Sequence, residues 1–346
     1  MRSRRRALPG AALLVLLAGS AAAQNLDADE AQPAPQPPVE ETLPQPTQGA
    51  LPGRFLPFPT VSPSGGAPMP ATSDAALGAF QRGQYLSALR IAEPLANLGD
   101  AAAQTLLGEI HLRGLGVPQD EEEAARWFRV AADAGDAQAQ FRYAMMLIDG
   151  DGVTVDADGA RDLMRRSADA GNPLAAFNYG QMLIRASPTG GFADAYRYFQ
   201  QAADAGVPDG QYALSQLYAY GQGVPEASDV TARRWLHAAA VRGHDTAQIE
   251  LGIWLLNGRG GPADPAAGFR WLKGAAERGN AIAINRLAHL YREGIGTPRN
   301  ADEAAKWAVI ARRAGNSDAG LDSFLRGLPE EQQRRALEAA NRFQAG

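Results

Sequence analysis

The chain has 346 residues, no cysteine, 7% aromatic content, a formal net charge of -5 and a pI of about 5.5. An acidic balance argues against nucleic acid as a partner, because that grip rests on lysine and arginine neutralising phosphates. The missing cysteines exclude disulfides, thiolate metal sites, a cysteine nucleophile and a lipidated N-terminal cysteine. An alanine-rich chain poor in aromatics suits close-packed helices better than a β-sandwich.

The N-terminus carries Arg2, Arg4, Arg5 and Arg6, then the apolar stretch 7–17 with Leu13 to Leu17, then small residues at Ala21 and Ala23. This is the pattern of a cleavable signal peptide over residues 1–23, cut between Ala23 and Gln24. The competing reading is an uncleaved membrane anchor. Spanning a bilayer takes at least ~17 apolar residues, a length reached here only by counting Pro9, Gly10, Gly19 and Ser20. No later segment has an uninterrupted apolar run of that length. The expected location is the periplasm, with membrane contact only through the transient signal peptide.

Residues 24–73 hold 12 of the 23 prolines, and five acids there face one arginine. Proline cannot donate to a helix or sheet ladder, and few apolar residues are present to offset the cost of ordering. The segment reads as a disordered linker, either a spacer from membrane or wall or a partner-binding stretch. Its one apolar cluster is Phe55-Leu56-Pro57-Phe58-Pro59.

The rest repeats. A glycine recurs at 99, 135, 171, 206, 243, 279 and 315, with spacings of 36, 36, 35, 37, 36 and 36. A glycine pair follows within five of the units: Gly114/Gly116, Gly150/Gly152, Gly221/Gly223, Gly258/Gly260 and Gly294/Gly296. The third unit departs, with Ala186-Ser187-Pro188-Thr189-Gly190-Gly191 in that place. A bulky slot recurs as Trp127, Leu163, Tyr198, Trp235, Trp271 and Trp307, which reads as structural. A period near 36 with two helical segments per unit means an all-α solenoid of antiparallel helix pairs.

Each punctuating residue has a physical role. Glycines ending helices supply positive φ. Asp120, Asp156, Asp264 and Asn300 stand where a second helix needs an N-cap. Glu123 and Glu303 are placed to complete capping boxes with Asp120 and Asn300. Gly108, Ala144, Gly180, Ser215, Gly252 and Ala288 recur midway along the first helices, where a large side chain would hold paired helices apart. Leu107, Leu214, Leu251 and Leu287 precede four of these and are expected in the core.

The run Gly99-Asp100-Ala101-Ala102-Ala103-Gln104-Thr105-Leu106-Leu107-Gly108, with Gly114-Leu115-Gly116-Val117 and Ala124-Ala125-Arg126-Trp127, resembles the Sel-one-like repeats, a branch of the tetratricopeptide-like arrays. The resemblance covers six units, 99–134, 135–170, 171–205, 206–242, 243–278 and 279–314. It implies a right-handed α/α superhelix. Residues 74–98 look like a degenerate leading pair, with Pro94 placed to kink its second helix. Residues 315–346 look like capping helices, the last opened by Pro329.

Chemical motifs give little. The stretch from Asp149 to Asp158 looks like a calcium loop, yet its sixth position is Thr154 and its twelfth Ala160 where glycine and glutamate are needed. His111, His237, His244 and His289 show no metal-ligand spacing, and His111 reads as core. Neither Lys273 nor Lys306 sits in a Ser-x-x-Lys or phosphate-loop motif. No cofactor, metal site or catalytic residue is proposed by the sequence.

By the same resemblance the first helices line the inner surface. The positions facing it are Thr105, Glu109 and Arg113; Phe141, Met145 and Asp149; Phe177, Gln181 and Arg185; Tyr212, Gln216 and Tyr220; Ile249, Ile253 and Asn257; and Asn285, His289 and Arg292. Either this stripe is an open groove for a partner, or successive units bury it. The groove candidates are Phe141, Met145, Phe177, Gln181, Arg185, Tyr212, Gln216, Tyr220, Ile249 and Asn257. The expected function is a non-catalytic scaffold holding a protein or peptide in envelope regulation, secretion or wall assembly. The alternative is a binder or hydrolase of wall fragments or β-lactams, a role known in a cysteine-rich branch of the family whose cysteines this chain lacks.

Overall fold

The computed structural model describes residues 72–343. The expected signal peptide, the Ala23/Gln24 cleavage point and the proline-rich segment up to Ala71 lie outside the described residues.

Sixteen helices and no strand are present among the described residues. A leading pair, α1 (Ser73–Gln81) and α2 (Tyr85–Asn97), is followed by six pairs. These are α3 (Ala101–Arg113) with α4 (Glu121–Asp133), α5 (Ala137–Asp149) with α6 (Ala157–Asp169), and α7 (Pro173–Ala186) with α8 (Gly191–Asp204). The series continues with α9 (Pro208–Tyr220) and α10 (Asp229–Val241), α11 (Asp245–Asn257) and α12 (Pro265–Glu277), and α13 (Ala281–Glu293) and α14 (Ala301–Arg313). Two closing helices, α15 (Ala319–Gly327) and α16 (Glu330–Asn341), end the array. Extensive packing joins each helix from α1 to α14 to its neighbour in the chain, and α16 rather than α15 lies along α14. The expected solenoid is therefore the fold. Its first helix starts at Ser73, with Thr72 as N-cap, just inside the segment expected to be linker. Pro94 lies within α2, which continues past it to Asn97.

The glycine pair does two jobs, seen in unit two. Gly150 ends α5 in the left-handed region at φ 83°, and its N–H donates to the Met146 carbonyl. Gly152, at φ 65°, lies so close to the preceding unit that a Cβ would come within 2.4 Å of the Glu121 carbonyl. The first glycine turns the chain, and the second docks the turn on the N-terminus of α4. Midway along the first helices the partner helix approaches as expected. A Cβ on Gly108 would sit 2.6 Å from the Phe128 ring, and one on Gly180 would sit 2.7 Å from Phe199. Leu107, Leu214, Leu251 and Leu287 are all buried.

The caps hold, but the capping boxes form only in half. Glu123 N–H donates to Asp120 Oδ1 and Glu303 N–H to Asn300 Oδ1. The reciprocal bonds are absent because the cap N–H groups are used elsewhere. Asp120 N–H donates to the His111 carbonyl and Asn300 N–H to the Tyr291 carbonyl, closing the turn within each pair. The glutamates bind cations instead, Glu123 with Arg126 and Glu303 with Lys306. In unit three α7 runs to Ala186, and α8 starts from Gly190 without a side-chain cap.

The tryptophan slot is not the centre of the core. Trp127, Trp235 and Trp271 are half-buried, while Trp307 is buried and closes against Phe343 of the C-terminus. The fully buried position is the next residue: Phe128, Met164, Phe199, Leu236 and Leu272. Of these, Phe128, Phe199 and Leu272 lie directly against Gly108, Gly180 and Gly252 of the first helices.

Candidate functional site: the first-helix face

Successive first helices touch through side chains, and several of the expected groove positions take part. Six residues after each opening glycine stand Thr105, Phe141, Phe177, Tyr212, Ile249 and Asn285. Thr105 Oγ1 donates to Asp136, the cap of α5, at 3.0 Å. Tyr212 stacks on His244, the cap of α11, with ring centroids 4.4 Å apart. Asn285 Nδ2 donates to Asp318, the cap of α15, at 3.0 Å. In these three units the slot meets the N-terminus of the next unit.

Further along, Glu109 pairs with Arg142 of the next unit and with Arg113 of its own helix. Tyr212 OH and Gln216 Nε2 both donate to Glu250, each at 2.9 Å. Burial pushes the Glu250 carboxyl above its ordinary pKa, against these two hydrogen bonds and the nearby Arg259. His289 binds Asp318 at 2.7 Å. Burial opposes the Asp318 carboxylate, yet hydrogen bonds from His289, Asn285 and the Leu321 N–H hold its pKa well below the usual range.

Of the ten groove candidates, Phe141, Tyr212, Gln216 and Ile249 are thus buried. Packing between units uses them, so they are not open to a partner in this state. Met145, Phe177 and Gln181 are half-buried, and Arg185, Tyr220 and Asn257 are exposed. The accessible face is therefore narrower than the sequence stripe. It also includes two apolar residues that the stripe omitted, Leu174 at 46% exposure and Ile282 at 48%. Both stand three residues after an opening glycine. The 3.6-residue period puts Leu174 on one side of α7 with Gln181 and Arg185. Their signal was an apolar residue in a slot that Gln138 and Asp209 fill with polar groups.

Other features have structural roles. The calcium-like stretch is the ordinary turn between α5 and α6, with Asp156 capping α6. His111 is half-buried rather than core, and His237 is exposed with its ring edge-on to Trp271. Among the described residues no cluster of three or more His, Asp or Glu is placed to hold a metal. Ser167 and Ser215 donate to the carbonyls of Ala137 and Tyr212, so neither hydroxyl is poised against a base. Among the described residues no helix is long and apolar enough to cross a membrane.

One device has a clear sequence signal that periodic reading passed over. Gln104, Gln140, Gln211 and Gln248 occupy the same slot in four units. Each donates through Nε2 to a carbonyl in the last turn of the preceding second helix: Ala96, Ala132, Ala203 and Ala240. They pin each first helix to the unit before it.

The Sel1 repeat family model matches six consecutive segments, 101–136, 137–172, 173–207, 208–244, 245–280 and 281–316. The chain belongs to the Sel1 repeat family. The matched segments are the six glycine-framed units, read two residues later. Solved Sel1 structures agree with this fold. A Sel1 repeat protein from Oxalobacter formigenes is 24% identical, with a TM-score of 0.58, over 69% of this chain and 96% of that one. The protein c5321, a protective antigen present in uropathogenic Escherichia coli strains and displaying an SLR fold, is 26% identical, with a TM-score of 0.52. That match covers 75% of this chain and 64% of the antigen. No curated protein matches the chain in sequence. Sel1 repeat proteins generally serve as protein-interaction scaffolds.

Proposed function

We propose that this Sel1 repeat chain is an exported, periplasmic scaffold that holds a protein or peptide partner on its first-helix face. The observation that carries the reading is the accessible band on neighbouring first helices. Met145, Phe177 and Gln181 are half-buried, and Leu174, Arg185 and Tyr220 are exposed. Half-exposed apolar groups edged by polar ones, on a backbone fixed by inter-unit packing, provide the anchor-and-rim arrangement that protein interfaces use. Export is supported by Arg2 to Arg6, the short apolar run and the small residues at Ala21 and Ala23.

Periplasmic extracts tested for retained partners against Tyr220→Ala, Gln181→Ala and Leu174→Ala variants check the binding face. Each variant should keep the wild-type melting temperature, and at least one should lose ~2 kcal/mol or more of partner affinity as a hot spot. Full retention by all three would remove the face from the proposal. Mass spectrometry of the same fraction should find Gln24 as the first residue. A chain that keeps Leu13 to Leu17 in the membrane fraction would overturn export with cleavage.

A further inference from the structure

Between units four and five the first helices are joined by one connected set of polar groups. His244 opens α11, its Nδ1 accepting the Ala247 N–H at 3.1 Å. Its ring stacks on Tyr212, planes 26° apart, and Tyr212 OH in turn donates to Glu250 of α11. Elsewhere the first helices are capped by Asp100, Asp136, Asn172 and Asn280, and α9 begins after Val207 without a side-chain cap. An amide or carboxylate oxygen goes on accepting at mildly acidic pH, but an imidazole nitrogen does not. Once Nδ1 carries a proton it can only donate. The Ala247 N–H then loses its partner, and a positive charge sits at the positive end of α11.

We propose that the junction between units four and five is an acid-sensitive hinge, opened when His244 takes up a proton and releases the α11 cap. The charges around the ring pull both ways. Asp209 of α9, 3.6 Å from Nε2, and Asp245 of α11 favour the imidazolium. Arg242 at the end of α10 lines the same shallow cavity of about 350 Å³ and opposes it. Arg278 at the end of α12 pairs with Asp245 and takes up part of that acid's field. Glu250 and Arg259 lie beyond Tyr212. Burial outweighs the two acids and holds the His244 pKa below its ordinary value.

The sign follows from linkage. The fold favours the neutral ring, so the junction keeps its full strength above the unfolded histidine pKa, about 6.5. It weakens as pH falls below that value, toward the lower pKa of the folded state. Glu250 acts in the opposite sense. Its raised pKa means that protonation on acidification relieves a buried charge. The acid response therefore belongs to His244 and should survive Glu250→Gln. Tyr212 and Gln216 lie at this junction, so opening it separates the part of the first-helix face on units one to four from that on units five and six.

Hydrogen exchange of the full chain, read by mass spectrometry from about pH 7.5 down to about pH 4.5 and corrected for intrinsic exchange rates, tests the hinge. Protection over residues 244–257 should fall roughly five-fold, the size expected for a lost N-cap. Protection over residues 281–293, opened by Asn280, should stay level. In His244→Asn, which installs the residue that caps α7 and α13, the fall should disappear. A wild-type chain without the fall, or His244→Asn with the same fall, would overturn the proposal. NMR of carbon-13-labelled histidine in the unmodified chain gives a check free of mutation. The His244 titration midpoint must lie below about pH 6.5, toward the acid end of the range over which α11 protection falls, and a midpoint at or above that value would also overturn it.

Discussion

Gly296 lies against Pro265 so closely that a Cβ on the glycine would meet the Pro265 carbonyl oxygen at 2.0 Å. The same approach joins Gly152 to Glu121, Gly223 to Phe192 and Gly260 to Asp229. The second glycine of each pair is therefore a contact between units, placed where the turn of one repeat rests on the second helix of the repeat before it. Nearest-neighbour contacts of this kind carry the stability of a solenoid.

Alanine at these glycines should separate two costs. Gly135 has φ 95° and nothing within 4 Å of a built Cβ, so Gly135→Ala should cost only the left-handed backbone penalty, ~1–2 kcal/mol. Gly152→Ala and Gly296→Ala meet that penalty and a backbone clash, which should add ~1–3 kcal/mol of overpacking. Denaturant melts of the three variants check the order. Equal losses would mean that the turns do not bear on their neighbours.

Core truncations should rank by burial rather than by ring size. Phe128 and Phe199 are fully buried against Gly108 and Gly180, so Phe→Ala at either should cost ~3–5 kcal/mol. Trp127→Ala and Trp235→Ala, at half-buried positions, should cost less. Thermal unfolding of the four variants decides it. A larger loss at Trp235 than at Phe128 would place the centre of the core at the tryptophan slot instead.

The two rankings separate what the sequence shows by residue type from what only the packing decides. Glycine is legible because positive φ leaves it few substitutes, so Gly99, Gly135 and Gly171 gave the period and Gly150 and Gly152 the turn. The residue after the tryptophan was not legible. Its slot reads Phe128, Met164, Phe199, Leu236, Leu272 and Ala308, a set too variable in size and type to stand out as one position. The groove was legible only as a stripe. Whether Tyr212 faces solvent or Glu250 depends on the spacing between successive first helices, and a one-dimensional period does not contain that distance. Gln104, Gln140, Gln211 and Gln248 did repeat in register, but a polar residue in a helix does not reveal by its type that it is buried.

Acid should loosen the C-terminal end through Asp318. Its folded pKa is depressed, so the stabilisation is fully present above the unfolded value, about 3.9, and is lost as pH falls below that. Hydrogen exchange over residues 319–327 should therefore be level down to about pH 4 and accelerate below it, after correction for intrinsic rates. In Asp318→Asn, which keeps an acceptor at the cap, the acceleration should be reduced. Unchanged protection through this range would mean that His289 and Asn285 do not tie α15 to α13.

Site-specific photo-crosslinking in living cells shows whether a partner binds the first-helix face. A photoreactive residue placed at Gln181, Arg185 or Tyr220 probes the first helices, and one at Arg129, Arg165 or Arg270 probes exposed positions of the second helices. The first set should give a discrete crosslinked species, absent from the second set and lost when Leu174→Ala is combined with the probe at Gln181. Crosslinks of equal yield from both sets, or from the second set alone, would contradict binding at that face.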